Sequence, residues 1–258
     1  MLKTLILAGG LGTRLREETE FKPKPMVEVG GKPIVWHIMK NLSIQGINDF
    51  TIATGYKGDS IKDYFLNYYS RNNDVTVDLG QNVPVIHHGS HDESKWKVTI
   101  ANTGEMTMTG GRVFRSLKYL EGERFLCTYG DGLADVDIKK LIDFHIAHGK
   151  KATVTTVQPL SRFGIMDVDN DGIVKQFREK PVMDGWVNAG FFVFEGSIQE
   201  YLDSECVLEQ EPLSKLAKEG ELVAYRHHGF WQPMDTLRES TFLNELWTSG
   251  NAPWKNWK

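Results

Sequence analysis

Short apolar runs alternate with segments of helical periodicity along the first part of the chain. The run Thr4–Ala8 is apolar almost throughout and ends at a glycine, which is typical of a strand buried on both faces. In Pro33–Gln45, Ile34, Ile38 and Leu42 recur at helical spacing. The same reasoning predicts strands at Asp49–Thr54, Val75–Leu79, Arg124–Tyr129 and Ala152–Gln158, and helices at Asp59–Tyr69, Gly111–Leu120 and Asp137–His148.

This alternation predicts an α/β fold, a Rossmann-like, mostly parallel mixed sheet with helices on both faces. After residue 160, turn residues such as Asn170-Asp171-Gly172 separate the strands, which is typical of small antiparallel additions. Those strands are predicted at Ile165–Val168, Ile173–Phe177 and Val187–Phe194, and the last helices at Pro212–Lys218 and Leu237–Trp247. Since no repeat or linker interrupts the chain, residues 1–258 are interpreted as one domain with a Trp-rich C-terminal segment at about 237–258.

Composition changes this picture little. Hydrophobic residues make up 40% and charged residues 25% of the 258 residues, as in ordinary globular enzymes. A net charge of −4 does not favour a nucleic-acid partner, so a phosphorylated substrate would need a local cluster of cations. No apolar run approaches the ~20 residues that cross a membrane. Cys127 and Cys206 are interpreted as free thiols, and a cytoplasmic protein is expected.

A glycine loop, Gly9-Gly10-Leu11-Gly12-Thr13-Arg14, follows the first predicted strand directly. Glycines allow the backbone to turn sharply and approach a phosphate, and an arginine adds charged donors. The spacing does not match a P-loop, and a dinucleotide fingerprint would need a small residue where Leu15 stands. From the residues alone, a phosphate loop and a tight turn without a ligand both remain possible.

Lys22-Pro23-Lys24-Pro25-Met26 comes shortly afterwards. Each proline restricts the residue before it to an extended conformation, so the ammonium groups are held at defined positions. Together with the preceding Leu7-Ala8 and glycine loop, this segment resembles the signature of the sugar-phosphate nucleotidyltransferases. The resemblance implies a nucleotidyltransferase fold in which Leu7, Ala8, Gly9, Gly10, Leu11, Gly12, Thr13 and Arg14 hold a nucleoside triphosphate. It also implies that Lys24 lies on the phosphates near the reacting phosphorus.

Two aspartates are candidate ligands of a hard cation. Asp131 follows the predicted strand that ends at Tyr129, and sheets of this kind bind ligands at the carboxyl ends of their strands. Taken alone, Asp131 could be a turn residue and Asp235 a helix cap. The family resemblance implies that both aspartates bind Mg²⁺, which typically takes one or two carboxylates together with phosphate oxygens and water.

The resemblance also assigns the sugar 1-phosphate. It implies that Glu179, Asn188 and Tyr129 bind the sugar and that Lys180 binds its phosphate. These chemistries agree, because carboxylate and amide groups pair with hydroxyls and a point cation suits a phosphate. Without the resemblance, the adjacent Glu179 and Lys180 would be interpreted as a surface ion pair.

Further segments narrow the branch of the family. Trp36–Lys40, Gly55–Gly58, Met108–Arg112, Gly229–Thr236 and Ala252–Trp257 are similar to the members that transfer a cytidylyl group from CTP to glucose 1-phosphate. The product would be CDP-glucose, a precursor for deoxysugars and polysaccharides. In that branch Thr109, Gly110 and Gly111 would lie by the base. The chain departs from the pattern at His91–Lys95 and Met183–Trp186, so a thymidylyl- or uridylyltransferase acting on another hexose 1-phosphate stays the alternative.

The expected reaction is a single displacement, since no residue pattern points to a covalent intermediate. Arg14, Lys24, Asp131 and Lys180 are the predicted catalytic residues. The competing classes are an oxidoreductase, a metal-dependent glycosyltransferase and a non-catalytic nucleotide-sugar sensor. The resemblance implies a homo-oligomer, a hexamer in the cytidylyl branch, and no membrane partner. The tryptophans Trp247, Trp254 and Trp257 could pack on their own subunit or anchor a neighbour.

Overall fold

A computed structural model of the protein describes residues 2–78, 80, 86–88, 92–161 and 163–257, with residues 16, 17, 86 and 87 described by their backbone alone. Its strands are β1 (Lys3–Ala8), β2 (Glu28–Val29), β3 (Lys32–Pro33), β4 (Asp49–Thr54), β5 (Asp74–Thr76), β6 (Ile86–His88), β7 (Lys97–Asn102), β8 (Phe125–Tyr129), β9 (Gly132–Ala134), β10 (Ala152–Val157), β11 (Ile165–Val168), β12 (Val174–Arg178), β13 (Val187–Phe194), β14 (Leu222–Arg226) and β15 (Trp231–Pro233). Its helices are α1 (Arg16–Thr19), α2 (Ile34–Ile44), α3 (Gly58–Leu66), α4 (Tyr68–Asn72), α5 (Thr109–Leu120), α6 (Ile138–His148), α7 (Glu211–Lys218) and α8 (Leu237–Thr248).

Seven strands of the described residues form the main sheet, in the order β14-β10-β13-β8-β1-β4-β7. Neighbours β8, β1, β4 and β7 run parallel, as do β10 and β14. Only β13 is antiparallel to both strands beside it. The predicted α/β fold with a mostly parallel mixed sheet is therefore confirmed.

The first strand shows why its sequence is apolar throughout. Successive side chains of a strand point to opposite faces of the sheet. Leu5 and Leu7 join a core cluster that includes residues of α5 and α7, whereas Ile6 and Ala8 join a second cluster with residues of α2 and α6. Helices cover both faces, so neither set of side chains reaches water.

The second half of the chain corrects several expectations. The strand predicted at Val187–Phe194 lies inside the main sheet, not in an antiparallel addition. The actual addition is the two-stranded hairpin of β11 and β12. The strand predicted at Val75–Leu79 spans Asp74–Thr76 and pairs with β6 outside the main sheet, and Leu79 lies outside the described residues. The edge strands β7 and β14 were not predicted. Most of their side chains are only partly buried or exposed, so the apolar pattern that marks a buried strand is weak there.

The Trp-rich C-terminal segment packs on its own chain. Trp254 is fully buried and stacks on Phe230, with 5.6 Å between the ring centroids. Trp257 contacts Trp36 edge-on at 5.9 Å. Of the two roles expected for these tryptophans, packing against the subunit's own core is the one that the structure shows for Trp254. No helix in the described part of the chain is long and apolar enough to span a membrane.

The two segments that depart from the family pattern have visible structural partners. Residues Asp92–Lys95 form a short 3-10 helix, and Glu93 makes a buried ion pair with Lys40 of α2 at 2.8 Å; His91 lies outside the described residues. In the second segment, the Gln158 side chain donates to the carbonyl of Met183 at 3.1 Å. The first segment therefore supports packing around α2.

Candidate active site

A cleft of about 450 Å³ opens at the carboxyl ends of β1 and β8. Its lining joins segments that are far apart in sequence. The lining residues are Leu7, Ala8, Gly9, Gly10, Leu11, Gly12, Thr13, Arg14, Lys24, Pro25, Glu105, Met106, Thr107, Met108, Thr109, Arg112, Tyr129, Gly130 and Asp131. The structure thus brings together the whole predicted triphosphate loop with Lys24, Thr109, Tyr129 and Asp131.

The glycine loop is shaped by close contacts that only glycine allows. Gly12 has φ +65°, a left-handed conformation in which a side chain is strained. The Thr19 hydroxyl donates to the Gly12 carbonyl at 3.0 Å and to the Leu15 carbonyl at 2.8 Å. At Gly9, a Cβ atom would lie 2.1 Å from the guanidinium of Arg112. The loop is therefore pinned from both ends to its surroundings.

Arg112 is a buried cation beneath this loop. Its guanidinium donates to the carbonyls of Thr54, Gly9, Gly104 and Glu105 and to the Thr103 hydroxyl at 2.7–3.0 Å. Since the partners belong to the glycine loop, the end of β4 and the loop after β7, a single side chain ties three segments together beside the cleft. Arg112 belongs to Met108–Arg112, one of the segments that resemble the cytidylyl branch of the family, but no role was predicted for its side chain. An arginine directly after two helical glycines was the available signal.

Lys24 lies between two carboxylates at one end of the cleft. Its ammonium donates to Asp131 at 2.8 Å and also to Asp235. Asp235 in turn pairs with Arg14 at 2.7 Å. The side chain of Lys24 is 10% exposed, whereas that of Arg14 is 71% exposed. Burial lowers the pKa of Lys24, but the charges and hydrogen bonds of Asp131 and Asp235 outweigh it, so the net pKa is raised and the ammonium stays charged.

The pairing of β9 with β15 explains how the two aspartates meet. These short antiparallel strands place Pro233 opposite Gly132, and the N–H of Met234 donates to the Asp131 carbonyl at 2.8 Å. The alternative role of Asp235 as a helix cap is excluded, because Thr236 caps α8 in a capping box with Glu239. The Asp235 side chain is therefore available to Lys24 and Arg14.

The donor set suits a hard divalent cation. Asp131 and Asp235 reach a common ammonium group, so the carboxylates can approach one small ion. Mg²⁺ commonly takes one or two protein carboxylates and completes its shell with phosphate oxygens and water. No group of three or more potential metal-binding side chains gathers among the described residues. Any ion held here would depend on the substrate and water for its other ligands.

Tyr129 lies at the end of the cleft where the sugar 1-phosphate is predicted to bind. Asn188 donates from Nδ2 to the Tyr129 hydroxyl at 3.2 Å, and its Oδ1 accepts from the Gly190 N–H at 2.7 Å. The phenol in turn donates to Glu209. Burial and the charge of Glu209 raise the pKa of Tyr129, so the hydroxyl stays protonated. Two of the predicted sugar-binding residues, Tyr129 and Asn188, are therefore in contact.

Other predicted site residues lie elsewhere. Glu179 and Lys180 directly follow β12 and form an exposed ion pair of 3.8 Å, and they are not among the residues that line the cleft. Gly110 and Gly111 do not line it either. They are buried where α5 packs on the segment 204–208, and a Cβ on Gly111 would lie 2.3 Å from the Ser204 carbonyl. Close packing is the observed reason for these two glycines.

Two exposed methionines at the mouth of the cleft, Met106 and Met108, were not predicted as site residues. Together with Leu11 they give the cleft an apolar rim near Thr109. A pair of methionines in an otherwise polar loop was a usable sequence signal. Glu209, which contacts Tyr129 and Thr109, was also not predicted as a site residue, and no motif in the sequence around it indicates such a role.

Comparison with known proteins agrees with this geometry. The family described as "Nucleotidyl transferase" matches residues 3–232. The chain is 54% identical to glucose-1-phosphate cytidylyltransferase of Salmonella typhimurium over 260 residues, with 100% of each chain covered. It is 43% identical to a probable glucose-1-phosphate cytidylyltransferase of Bacillus subtilis, covering 99% of this chain and 100% of the relative.

A solved structure extends the similarity to three dimensions. HddC from Yersinia pseudotuberculosis, crystallised in complex with GMP-PN, superposes with a TM-score of 0.71 at 25% identity, over 96% of this chain and 100% of that one. Residues 3–232, which the family model matches, include every residue that lines the cleft. The chain belongs to the nucleotidyl transferase family and, by similarity along its full length, to the group of glucose-1-phosphate cytidylyltransferases within it.

Proposed function

We propose that this chain transfers the cytidylyl group of CTP to glucose 1-phosphate, which gives CDP-glucose and pyrophosphate. The observation that carries the proposal is the convergence of Lys24, Asp131 and Asp235 at the end of a cleft walled by the glycine loop. A cluster of opposite charges beside a phosphate-sized loop suits a reaction between two polyanions. The full-length similarity to enzymes named for this reaction supports the choice of substrates.

Positioning and charge neutralisation supply the catalysis in this proposal. The sugar phosphate has a second pKa of about 6, so it is largely dianionic at neutral pH and needs no general base to attack. The glycine loop and Arg14 hold the triphosphate, and its oxygens compete with Asp131 and Asp235 for the Lys24 ammonium. Lys24 then offsets charge at the reacting phosphorus. Lys180 does not line the cleft, so its role, to orient the attacking phosphate, is assigned from the family resemblance and not from its observed position.

Asp131 and Asp235 would hold the Mg²⁺ that the family resemblance implies. When bound, such an ion acts as a Lewis acid on phosphate oxygens and helps the pyrophosphate to leave. The protein's own contribution is to hold both carboxylates at one point, through the pairing of β9 with β15 and the cap of α8 by Thr236.

A pyrophosphate-release assay tests the proposal. CTP, UTP and dTTP are each combined with glucose 1-phosphate, mannose 1-phosphate and galactose 1-phosphate, in Mg²⁺ and after its removal by EDTA. We expect the highest kcat/KM for CTP with glucose 1-phosphate and loss of turnover with EDTA. Higher kcat/KM for dTTP or UTP would replace the cytidylyl assignment, and release of nucleoside diphosphate from a nucleotide sugar would indicate a glycosyltransferase instead.

Assembly into a homo-oligomer is part of the same proposal. The hairpin of β11 and β12 supports it, because Met166, Ile173 and Phe177 are all exposed there. Apolar side chains gathered on one projecting hairpin are typical of subunit contacts. Sedimentation velocity should show a species of several subunits, a hexamer if the resemblance extends to assembly, and a monomer at micromolar concentration would contradict this part.

A further inference from the structure

Two hydrogen-bonded chains end on the carboxylate of Glu209. One begins at Asn188 and passes through the Tyr129 hydroxyl, and the other begins at the N–H of Leu208 and passes through the Thr109 hydroxyl. Each oxygen of the carboxylate accepts from one of the two hydroxyls, with 2.6 Å between Thr109 and Oε2. Tyr129 and Thr109 both line the cleft, whereas Glu209 does not.

The direction of the first chain is set by its far end. Because Oδ1 of Asn188 accepts from the Gly190 N–H, the amide group turns its NH₂ toward Tyr129. An NH₂ group can only donate, so the Tyr129 oxygen accepts from it and its proton points to Glu209. The Tyr129 hydroxyl therefore has no free proton, and a ligand group that reaches it in the cleft must donate to it.

The second chain has the same direction. The Leu208 N–H donates to the Thr109 hydroxyl at 3.0 Å, and that hydroxyl donates onward to Glu209. The Thr109 hydroxyl thus accepts one hydrogen bond from the segment 208–209 and donates one to it. This fixes the first residue of α5, where the helix meets the wall of the nucleotide cleft.

We infer that Glu209 is a positioning residue. It orients Tyr129 at the sugar end of the cleft, where the sugar 1-phosphate would bind, and Thr109 at the nucleotide end, where the base would bind. A carboxylate side chain accepts from two hydroxyls at once and has no donor of its own, whereas the amide of glutamine carries two donor hydrogens. Through Tyr129, Glu209 leaves an oxygen that selects a hydroxyl donor of the sugar. Through Thr109 it holds the start of α5. This inference rests on the proposed function for the identity of the ligands.

Glu209→Gln is the sharpest perturbation, since it preserves the size of the side chain while it replaces one acceptor by a donor. One of the two hydrogen-bonded chains must then lose its terminal acceptor or reverse the direction of its hydrogen bonds. Reversal of the Tyr129 chain would set its proton against the Asn188 amide, which can relieve the conflict only by releasing the Gly190 N–H. Glu211→Gln is the matched control, because Glu211 is an exposed residue two positions further on in the first turn of α7.

Binding measured by calorimetry separates the two ends, because CTP occupies the nucleotide end alone and CDP-glucose spans both. Hydrogen bonds to a charged group are stronger than those between neutral groups, so we expect Glu209→Gln to weaken the binding of each ligand about tenfold. Tyr129→Phe should weaken CDP-glucose and leave CTP nearly unchanged. Glu211→Gln should change neither dissociation constant by more than about twofold, as for an exposed substitution.

Double variants test whether Glu209 acts through these hydroxyls. In the Tyr129→Phe background, Glu209→Gln should weaken CDP-glucose no further than it weakens CTP, because the hydroxyl that it orients at the sugar is gone. In the Thr109→Val background, Glu209→Gln should not weaken the binding of CTP any further. Full additivity in both backgrounds, or a lower melting temperature with unchanged dissociation constants, would overturn the inference.

The same measurements keep the two proposals apart. A wild-type chain that binds CTP and CDP-glucose but releases no pyrophosphate would refute the proposed reaction, and the binding data would still decide the role of Glu209. A wild-type chain that binds neither ligand would overturn both. Pyrophosphate release by the wild type with unaltered binding by Glu209→Gln would overturn the positioning role alone.

Discussion

Two buried basic side chains, Lys24 in the cleft and His37 in α2, have pKa values that are shifted in opposite directions. Carboxylates surround Lys24, and its pKa is raised. Burial and the charge of Lys32 lower the pKa of His37, a hydrogen bond to the Val29 carbonyl only partly offsets them, and the net pKa is about 4. The first group keeps its charge and the second loses it. The partners of the buried group, and not burial itself, decide the charge.

The surroundings of His37 explain its neutral state. Its Nε2 donates to the Val29 carbonyl at 2.8 Å, and its Nδ1 accepts from the Trp254 indole at 3.4 Å. The ring of Trp247 contacts the imidazole edge-on at 4.7 Å. A proton on Nδ1 would oppose the indole donor, so this region is built for packing. The cleft instead keeps charges close together and ready for exchange with a ligand.

Removing a charge from the cleft should have the largest effect. Lys24→Ala or Asp131→Asn should lower kcat roughly 10²–10³-fold, the loss typical when one preorganised electrostatic contact is removed. Steady-state pyrophosphate release measures this loss, and a melting curve checks the fold. The global stability should change little, because the site lies at the rim of the sheet.

Lys22→Ala is the matched control, since Lys22 lies in the same Lys-Pro-Lys-Pro segment but does not line the cleft. Its pair with Glu18 is long, at 3.7 Å, and partly exposed. Its removal should change kcat by less than about threefold, as exposed pairs contribute little. Equal losses for Lys22→Ala and Lys24→Ala would contradict the special role of Lys24.

Acid should destabilise the His37 region next. Between pH 6.5 and about 4 the unfolded chain binds a proton that folded His37 does not. Stability therefore falls as pH falls through this window, by about 3 kcal/mol in all. Urea unfolding followed by tryptophan fluorescence at pH 7 and at pH 4.5 measures the loss. His37→Gln should lower stability at pH 7 and flatten this part of the pH dependence.

His228→Gln serves as the comparison, because His228 is an exposed residue outside the Trp254 cluster. The pH dependence of its unfolding free energy should follow that of the wild type. If His37→Gln keeps the full acid-induced loss, the neutral buried imidazole is not its source.

The smallest effect is expected at the cap of α8. Thr236→Ala removes the hydroxyl that accepts from the Glu239 N–H and should cost about 1 kcal/mol of stability. Since Asp235 precedes the cap, kcat should fall by a few-fold at most. Thr241→Ala, in the exposed part of α8, is the control for helix propensity. A larger loss of kcat than of stability would show that the cap chiefly orients Asp235.

Local pattern was enough to predict much of this protein. Strands β1, β4 and β8 of the parallel half, the helices on both faces and the glycine loop were predicted close to their observed bounds, because each is encoded by neighbouring residues. The strand-end position favoured a ligand at Asp131, but the family resemblance was needed to predict the loop residues, Lys24 and Asp131 as one site. The positions assigned to Glu179, Lys180 and Asn188 came from the family resemblance, and their binding roles stay predictions.

Tertiary structure alone decided which distant groups meet. The pairing of β9 with β15 places Asp235 against Lys24, and no local pattern in Trp231–Pro233 predicted it. Likewise, Arg112 finds its carbonyl partners, and Glu209 its two hydroxyls, only after the main sheet has formed. Periodicity reports which side of an element is buried, whereas hydrogen bonds and ion pairs depend on atomic distances between segments remote in sequence. The sequence by itself therefore determined the scaffold and its glycine loop, and the fold decided the charge network that surrounds that loop.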